Sequence, residues 1–221
     1  MHVFCDFDGT VTTVDTTDLV LSRLASPEWE DLEDDWRAGR ITAATCMRAQ
    51  VALIGGDDAA LGAVLDEVEI APGFVEFAAW CADQGAPLTI VSDGVDHFIR
   101  RILRRHGLGG LPVVSNKLGG AAGARELTQP HRHEGCAAGS GVCKCEATAR
   151  GLARGGRDMM VFVGDGRSDF CVSARVDMLF AKDDLAAYAH GRGQAHHAFT
   201  DFYDVMAVLA PLAAARRIAA Q

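Results

Sequence analysis

Residues 4–10, with the sequence FCDFDGT, place the carboxyl groups of Asp6 and Asp8 two residues apart at the end of an apolar run. A buried carboxylate without a compensating charge is costly, and two neighbouring carboxylates repel each other. The stretch therefore predicts a buried strand whose tip holds a cation or a proton beside these acids. In an open parallel sheet, ligands bind beyond the carboxyl ends of the strands.

The rest of the chain supplies the other strands of such a sheet. Short apolar runs that end in polar residues or glycine predict parallel strands at His2–Asp6, Pro87–Ser92, Leu111–Ser115, Met159–Gly164 and Met178–Ala181. Helical patterns are expected at Gly73–Gln84, Val95–His106, Cys145–Arg154, Ser168–Ala174 and from about Asp201 to Leu209. This alternation indicates an α/β fold, a Rossmann-like parallel sheet sandwiched by helices.

Residues 14–70 interrupt the alternation of strands and helices. Four helical patterns follow one another there, at Asp15–Ala25, Pro27–Ala38, Thr42–Ile54 and Asp57–Val68. Pro27 is expected at a first helical position and Asp57 as an N-cap. We expect a small α-helical cap domain at residues 14–70, inserted after the first strand of a core domain made of residues 1–13 and 71–221. Such a cap can exclude water and select the substrate.

Composition excludes several classes of protein. The net charge of −9 argues against nucleic acid or an anionic membrane as the main partner. Apolar runs are too short to cross a bilayer and no leader precedes the first strand, so we expect a cytoplasmic protein. Seven cysteines, an odd number, favour reduced thiols. The apolar cap helices and the C-terminal helix, which Pro211 is expected to break, leave room for a homodimer.

Four segments occur in an order that is typical of one enzyme family. They are DFDGT at residues 6–10, VSDG at residues 91–94, a late lysine, and GDGRSD at residues 164–169. This order resembles the motifs of the haloacid dehalogenase-like phosphatases over residues 2–184. The resemblance implies a hydrolase of phosphomonoesters that uses Mg²⁺ and an aspartyl-phosphate intermediate. Asp8 favours phosphatase chemistry, because relatives that cleave carbon–halogen bonds lack this second acid.

The resemblance also implies a role for each acidic residue. Asp6 is the expected nucleophile, and Asp8 is the expected general acid and, later, the general base. The metal is expected to be held by Asp6, by the backbone carbonyl of Asp8 and by Asp165. Asp169 is expected to steady the waters of the metal or a neighbouring group.

Phosphate binding needs hydrogen-bond donors and a positive charge. The phosphoryl oxygens are expected to meet the hydroxyl and backbone N–H groups of three successive residues, Ser92, Asp93 and Gly94. The chain has three lysines, and the resemblance asks for one at a helix start between the third and fourth strands. Lys144 fits that position. Lys117 is the alternative for this position, and Lys182 is expected to be a solvated charge in a loop.

The substrate is a small phosphorylated metabolite whose identity the sequence leaves open. Residues 71–77 (APGFVEF), 91–99 (VSDGVDHFI), 141–144 (GVCK) and 164–171 (GDGRSDFC) resemble one branch of the family. That branch includes phosphatases of methionine salvage, which act on 2-hydroxy-3-keto-5-methylthiopentenyl-1-phosphate, and phosphoethanolamine/phosphocholine phosphatases. Phosphoserine phosphatases share the architecture but use a cap arginine where Gln50 aligns here. Arg167, Asp15 and Arg48 are candidate substrate contacts, and a non-catalytic phosphate-binding protein is a further alternative.

A loop rich in cysteine and histidine precedes the late lysine. Its side chains that can ligate a metal are His131, His133, Cys136, Cys143 and Cys145. These residue types can form a structural Zn²⁺ site, but the spacing lacks the C-x₂-C knuckle of zinc ribbons. Reduced thiols that pack as small hydrophobic groups are therefore the preferred interpretation, with a redox pair as a third. The nearby glycine-rich stretch, Gly119–Gly123, is expected to be a loop.

Overall fold

A sheet of mostly parallel strands organises the fold. The computed structural model describes residues 1–152 and 159–219. In these residues the strands are β1 (His2–Cys5), β2 (Leu88–Val95), β3 (Val113–Ala121), β4 (Ala124–Thr128), β5 (Met160–Gly164), β6 (Met178–Ala181) and β7 (His197–Ala198). They lie in the order β4-β3-β2-β1-β5-β6-β7, and only the β3–β4 pair is antiparallel among the pairs of these strands.

Helices occupy most of the chain between the strands. Their bounds are α1 (Thr16–Leu24), α2 (Trp29–Arg37), α3 (Ala43–Ala52), α4 (Asp58–Asp66), α5 (Phe74–Asp83), α6 (Asp96–Arg105), α7 (Lys144–Leu152), α8 (Phe170–Ser173), α9 (Asp183–Gly191) and α10 (Phe202–Ala219). A 3₁₀ turn, Arg167–Asp169, leads into α8. The predicted helix Cys145–Arg154 begins one residue earlier, and its last two residues lie outside the described part of the chain.

Two apolar cores cover the faces of the sheet. Val3 and Cys5 of β1 point into the larger core, while Phe4, between them, points into the smaller one on the opposite face. Such alternation along a strand buried on both sides is what a doubly covered parallel sheet requires. The prediction of an α/β fold with a sandwiched parallel sheet is confirmed.

Four helices, α1–α4, follow β1 in the chain. The side chains of Asp15, Thr42 and Asp57 accept hydrogen bonds from the backbone N–H groups of the first turns of α1, α3 and α4. These N-caps explain why the helices begin where they do. The expectation for Pro27 is wrong, because α2 begins at Trp29 and Glu28 is its cap residue.

Two other expectations need correction, and some elements were not predicted. Gly119–Gly123 is not simply a loop: Gly119–Ala121 ends β3, and β3 and β4 form a hairpin with Lys117 paired to Thr128 and Ala121 to Ala124. The sequence reading also missed α9 and β7. Pro211 does not break the last helix, since α10 continues to Ala219 while Val205, Leu209 and Ala213 keep one face buried across the proline.

A helix that spans a membrane must be long and strongly apolar. Within residues 1–152 and 159–219, no helix combines the length and apolar character needed to cross a bilayer.

Candidate active site

The carboxylate pair lies where β1 leaves the sheet. The backbone N–H of Asp6 donates to the carbonyl of Val163 on β5 at 2.9 Å, which fixes Asp6 as the last residue in register with the neighbouring strand. Its side chain is only 8% exposed, and its Oδ1 accepts the N–H of Phe7 at 2.8 Å. Gly9 follows with a φ of +72°, and a Cβ there would clash with Asp165. Glycine therefore lets the loop after β1 approach the loop after β5.

Three carboxylates converge at these two strand tips. One oxygen each from Asp6, Asp165 and Asp169 lie within 4.8 Å of one another. Burial raises the pKa of Asp165 to about 6, and the neighbouring Asp6 adds to that shift. The hydroxyl of Thr10 donates to Asp165 and opposes the shift. Clustered oxygen donors of this kind suit a hard divalent cation such as Mg²⁺, which would offset their mutual repulsion.

Lys144 supplies a positive charge that lies directly beside these carboxylates. Its side chain is 1% exposed, and its Nζ lies 2.7 Å from Oδ2 of Asp6 and 2.6 Å from Oδ1 of Asp169. Burial opposes the charged form, but the two carboxylates outweigh it and raise the pKa of Lys144 above its ordinary value. The other two lysines lie elsewhere: Lys117 pairs with Asp96 at 3.2 Å, and Lys182 lies over the ring of Phe199.

Asp169 binds the backbone of the loop after β5 as well as the ammonium of Lys144. Its Oδ2 accepts the backbone N–H groups of Asp165 and Gly166, both at 3.2 Å. A Cβ at residue 164 would clash with this carboxylate, so the glycine that ends β5 is needed for the approach. With both oxygens engaged by protein donors, Asp169 is better placed to position Lys144 and Asp165 than to give a whole carboxylate to a metal.

Asp8 is held by the first residue of α1. Its Oδ1 accepts the backbone N–H of Thr16 at 3.0 Å and also the Thr16 hydroxyl. Burial raises the pKa of Asp8 to about 6, although both hydrogen bonds from Thr16 oppose the shift. An acid with this pKa exchanges its proton near neutral pH, as a general acid and base must.

The C-terminal part of β2, residues 92–94, forms the third side of the site. The Oγ of Ser92 accepts the N–H of Gly94 at 2.9 Å and lies 3.5 Å from Oδ2 of Asp8. A Cβ at residue 94 would clash with Asp8. The carboxylate of Asp93 turns away toward other donors, accepting from Val142 N–H at 2.9 Å and from Asn116 Nδ2 at 3.2 Å. Asp93 can therefore offer a ligand its backbone rather than its side chain.

A cavity of about 600 Å³ opens above these groups. Its floor is made of the acids and Ser92, and its walls come from the helices α1–α3, the 137–140 loop and the 3₁₀ turn before α8. Wall residues include Asp15, Thr17, Asp18, Glu33, Trp36, Cys46, Met47, Gln50, Ser140, Arg167, Cys171 and Tyr188. The volume is that of a pocket for a small metabolite.

The candidate substrate contacts differ in position. Asp15 lines the cavity, where burial, Asp8 and Asp18 all raise its pKa. Arg167 also lines it, with its guanidinium carbon 5.6 Å from the ring centroid of Trp36. Arg48 is exposed and lies outside the cavity lining found among the described residues. Gln50 does line the cavity, and its Nε2 donates to Oε2 of Glu33 at 3.2 Å.

Sequence reasoning missed residues that act through these groups. Thr10 ends the DFDGT stretch but was given no role, and Thr16 lies outside the quoted motifs, yet they donate to Asp165 and Asp8. Thr17 has a buried hydroxyl without a hydrogen-bond partner in the described part of the chain, and it lines the cavity. Trp36, on α2, is half-buried and forms part of the cavity wall. The position of an aromatic residue along a helix does not by itself indicate whether its side chain packs in a core or lines a cavity.

The candidate zinc ligands do not come together. Within residues 1–152 and 159–219, no three of the side chains His131, His133, Cys136, Cys143 and Cys145 bring ligand atoms within 4.8 Å of one another. The Nδ1 of His133 instead accepts the N–H of Gly135 at 3.1 Å. All seven cysteines are free thiols.

Comparisons with known proteins agree with this geometry. A family model described as haloacid dehalogenase-like hydrolase matches residues 3–173. The chain is 32% identical over 216 residues to the 2-hydroxy-3-keto-5-methylthiopentenyl-1-phosphate phosphatase of Geobacillus kaustophilus, covering 94% of each chain. It is 33% identical over 211 residues to the enzyme of the same name from Geobacillus thermodenitrificans, covering 92% of this chain and 93% of the relative.

Solved structures share the fold. A phosphoserine phosphatase described as a phospho-aspartyl intermediate analogue superimposes with a TM-score of 0.69 at 18% identity, over 93% of this chain and 97% of that one. A substrate-bound phosphoserine phosphatase gives a TM-score of 0.71 at 17% identity, over 93% and 96%. At these identities the likeness concerns the fold alone.

Proposed function

Because the chain belongs to the haloacid dehalogenase-like hydrolases, we propose that it is a Mg²⁺-dependent phosphomonoesterase of a small metabolite. One observation carries the proposal: the buried carboxylate of Asp6 lies at the floor of the cavity, 2.7 Å from the ammonium of Lys144. Phosphoryl transfer needs a positioned nucleophile and neutralised charge more than any other contribution. Residues 14–70 act in this proposal as a cap domain over a core of residues 1–13 and 71–221.

Asp6 attacks phosphorus in the first step. A bond forms between a carboxylate oxygen and phosphorus while the bond to the alcohol oxygen breaks, which leaves an aspartyl-phosphate. The N–H of Phe7 and the ammonium of Lys144 hold the carboxylate, so it needs little reorganisation before attack. Lys144 also faces the negative charge that the transferring group brings.

Asp8 moves the protons of both steps. In its acid form it protonates the leaving alcohol, and the resulting carboxylate then takes a proton from the water that hydrolyses the aspartyl-phosphate. The two hydrogen bonds from Thr16 fix one of its oxygens and leave Oδ2 toward Ser92 and Gly94. Ser92 and the backbone N–H groups of residues 93 and 94 bind the phosphoryl oxygens.

A divalent cation fits the acidic floor. Asp6 and Asp165, with the backbone carbonyl of Asp8, would hold Mg²⁺, and Asp169 would keep Asp165 and Lys144 in place. The ion supplies charge neutralisation of the phosphoryl oxygens and orients the phosphate for in-line transfer.

The first candidate substrate is 2-hydroxy-3-keto-5-methylthiopentenyl-1-phosphate, the compound in the names of the relatives. Trp36, Cys46 and Met47 give the cavity an apolar wall where a methylthio group can pack. Gln50 bonds to Glu33 at the position where a cap arginine would grip a substrate carboxylate, which disfavours phosphoserine.

The second candidate class is phosphoethanolamine or phosphocholine. Asp15, Asp18 and Glu33 line the cap side of the cavity, and their carboxylates favour a cationic leaving group over a neutral one. Burial and the neighbouring Glu33 raise the pKa of Asp18, although the guanidinium of Arg37 opposes the shift.

Turnover of p-nitrophenyl phosphate tests the reaction class. We expect release of inorganic phosphate that requires Mg²⁺, stops with EDTA, and falls by at least about 10³-fold in Asp6→Asn. Asp83→Asn, at an exposed position at the end of α5, is the matched control and should keep full activity. Turnover that survives both EDTA and Asp6→Asn would refute the proposal. A protein that binds phosphate without turnover would instead be a non-catalytic relative.

A panel of phosphate esters then ranks the substrates. The enol-phosphate of the relatives' names, phosphoethanolamine, phosphocholine and phosphoserine are compared by kcat/KM. The apolar wall predicts the first as the best of the four, and a preference for the amine esters would assign the acidic side of the cavity to substrate binding.

A further inference from the structure

The cavity wall carries a positive charge that the proposed reaction does not use. Arg167 lies in the 3₁₀ turn before α8, two residues after Asp165, and its exposed side chain lines the cavity. Several acidic residues line the same cavity. Within the described part of the chain, however, the guanidinium of Arg167 forms no ion pair with a carboxylate. Its charge is therefore available to a ligand.

The acidic wall residue that shares α2 with Trp36 is engaged elsewhere. Glu33 stands three residues before Trp36, so the two side chains lie on the same side of the helix. The Oε1 of Glu33 pairs with Nη2 of Arg37 at 3.2 Å, and its Oε2 accepts a hydrogen bond from Nε2 of Gln50 at 3.2 Å. Both oxygens of this carboxylate are thus bound without Arg167.

An aromatic ring holds the guanidinium of Arg167 in place of a carboxylate. The guanidinium carbon lies 5.6 Å from the ring centroid of Trp36, within the range of a cation–π interaction. The face of an indole ring has no oxygen acceptor, so the N–H donors of the guanidinium stay available for hydrogen bonds. Trp36 therefore orients Arg167 without using the donors that a ligand would need.

The backbone on both sides of Arg167 is fixed to groups of the candidate active site. The N–H of Gly166 donates to Oδ2 of Asp169 at 3.2 Å, and the Nζ of Lys144 donates to Oγ of Ser168 at 2.8 Å. The turn thus holds Arg167 at a defined place relative to the floor of the cavity. A binding group held in this way needs little reorganisation when a substrate arrives.

The position of Arg167 indicates which part of a substrate it meets. In the proposed reaction the phosphoryl group lies on the floor, against Ser92 and Lys144. Arg167 instead lies on the wall, beside Trp36 of α2. The leaving alcohol occupies this part of the cavity. A guanidinium presents paired N–H donors, which fit two neighbouring oxygen atoms better than one.

We propose that Arg167 is a specificity-determining residue that binds oxygen atoms on the two carbons next to the ester carbon of the leaving alcohol. Trp36 is the positioning residue that orients it. The inference rests on the proposed phosphatase function and names a contact to its substrate. The compound in the names of the relatives has a hydroxyl and a keto oxygen on these two carbons. Arg167 would select such a compound over an alkyl phosphate of equal length.

Two phosphate esters with three carbons each test the contact. Dihydroxyacetone phosphate has oxygen atoms on both carbons after the ester carbon, whereas n-propyl phosphate has none. Their binding is measured with Mg²⁺ by calorimetric titration of Asp6→Asn, which cannot hydrolyse them, and their kcat/KM values are measured in the unchanged chain. We expect the oxygenated ester to be preferred by at least about tenfold in both measurements, the effect of a hydrogen bond to a charged group. Arg167→Met should abolish this preference and leave n-propyl phosphate almost unaffected.

Two further variants separate the contact from a general effect on the wall. Trp36→Leu keeps an apolar side chain but removes the ring, and it should reduce the preference by about threefold or more. Arg192→Met is the matched control. The guanidinium carbon of Arg192 lies 5.3 Å from the ring centroid of Tyr188, and Arg192 is outside the cavity lining found among the described residues. This variant should keep the full preference.

Each other outcome has a defined meaning. The lack of a preference in the unchanged chain, its survival in Arg167→Met, or its loss in Arg192→Met would overturn the proposed contact. An equal loss of both esters in Arg167→Met would also overturn it, because Arg167 would then act on the phosphoryl group or on the turn. An unchanged preference in Trp36→Leu would overturn the positioning role. Selective binding that depends on Arg167, in a protein without turnover, would support the contact and count against the proposed function.

Discussion

The Nζ of Lys144 lies 2.7 Å from Oδ2 of Asp6, and both side chains are almost wholly buried. The same ammonium lies 2.6 Å from Oδ1 of Asp169, so one cation faces two carboxylates. Removal of one partner from a buried ionic group leaves the others uncompensated, which costs more than the pair contributes when intact. The lysine is therefore as important to the stability of the site as to its chemistry.

Lys144→Met tests this dual role. The free energy of unfolding should fall by roughly 3–5 kcal/mol, because Asp6 and Asp169 lose their buried cation, and turnover should be lost. Urea denaturation measures the first effect and phosphate release the second. Lys117→Met removes a half-exposed lysine paired with Asp96 and should cost about 1 kcal/mol or less. Equal destabilisation by the two changes would contradict the buried network.

Asp8→Asn separates the two chemical steps. p-Nitrophenolate leaves without protonation, so Asp6 can still be phosphorylated, but no base remains to activate water for the second step. Rapid-quench measurements should show a burst of p-nitrophenol, stoichiometric with enzyme, followed by slow turnover. Asp6→Asn should give no burst. A slow linear release from Asp8→Asn, without a burst, would mean that Asp8 acts only before the phosphoryl group is transferred.

The parts of the site that lie at strand tips could be predicted from sequence. Asp6, Ser92 and Asp165 each follow an apolar run, and the ends of parallel strands meet at one edge of a sheet. Lys144 required the family pattern as well, because a lysine at a helix start has no periodic signal of its own. The N-cap Asp57 could be predicted because capping is a local interaction.

Features that depend on contacts between distant segments could not be predicted from the sequence. The β3–β4 hairpin was missed because Gly119 and Gly120 have no side chains to show the alternation of a strand. The helix α9 has only Leu185 and Ala189 buried, too few for a clear amphipathic pattern. The place of Trp36 in the cavity wall follows from the approach of α2 to Arg167, which spacing along the chain does not encode.

Metal binding should depend on pH in a defined direction. Burial raises the pKa values of Asp8 and Asp165 from 3.8 to about 6 in the folded protein. A raised carboxyl pKa means that the folded state holds the proton more tightly, so without metal these groups stabilise the fold at low pH. That stability is lost as the pH rises from about 4 through about 6.

Mg²⁺ should reverse this trend, because a carboxylate must lose its proton to bind a cation. We expect the Mg²⁺-induced rise in Tm to be larger at about pH 7.5 than at about pH 5, at matched ionic strength. Asp165→Asn should abolish the rise at both pH values. A rise that is the same at both pH values, or that survives in Asp165→Asn, would place the cation elsewhere.

Arg125 ties the β3–β4 hairpin to the segment that follows α3. Its side chain, on β4, is 2% exposed, and its Nη1 donates to the carbonyls of Ile54, Gly55 and Gly56 at 3.0–3.1 Å. These carbonyls follow the end of α3, whose residues Cys46, Met47 and Gln50 line the cavity. A cation at this place binds the carbonyls that a helix end leaves without partners.

Arg125→Met should therefore loosen the wall of the cavity that α3 forms. Several carbonyls lose a charged donor, so we expect the free energy of unfolding to fall by roughly 2–4 kcal/mol. Asp6, the proposed nucleophile, and Lys144 lie on other elements, so KM for the preferred substrate should rise more than kcat falls. Urea titration and steady-state kinetics measure these effects. Arg23→Met removes the exposed ion pair between Arg23 of α1 and Glu67, and it should change neither. A fall in kcat at constant KM in Arg125→Met would mean that the hairpin positions the catalytic groups instead of the substrate wall.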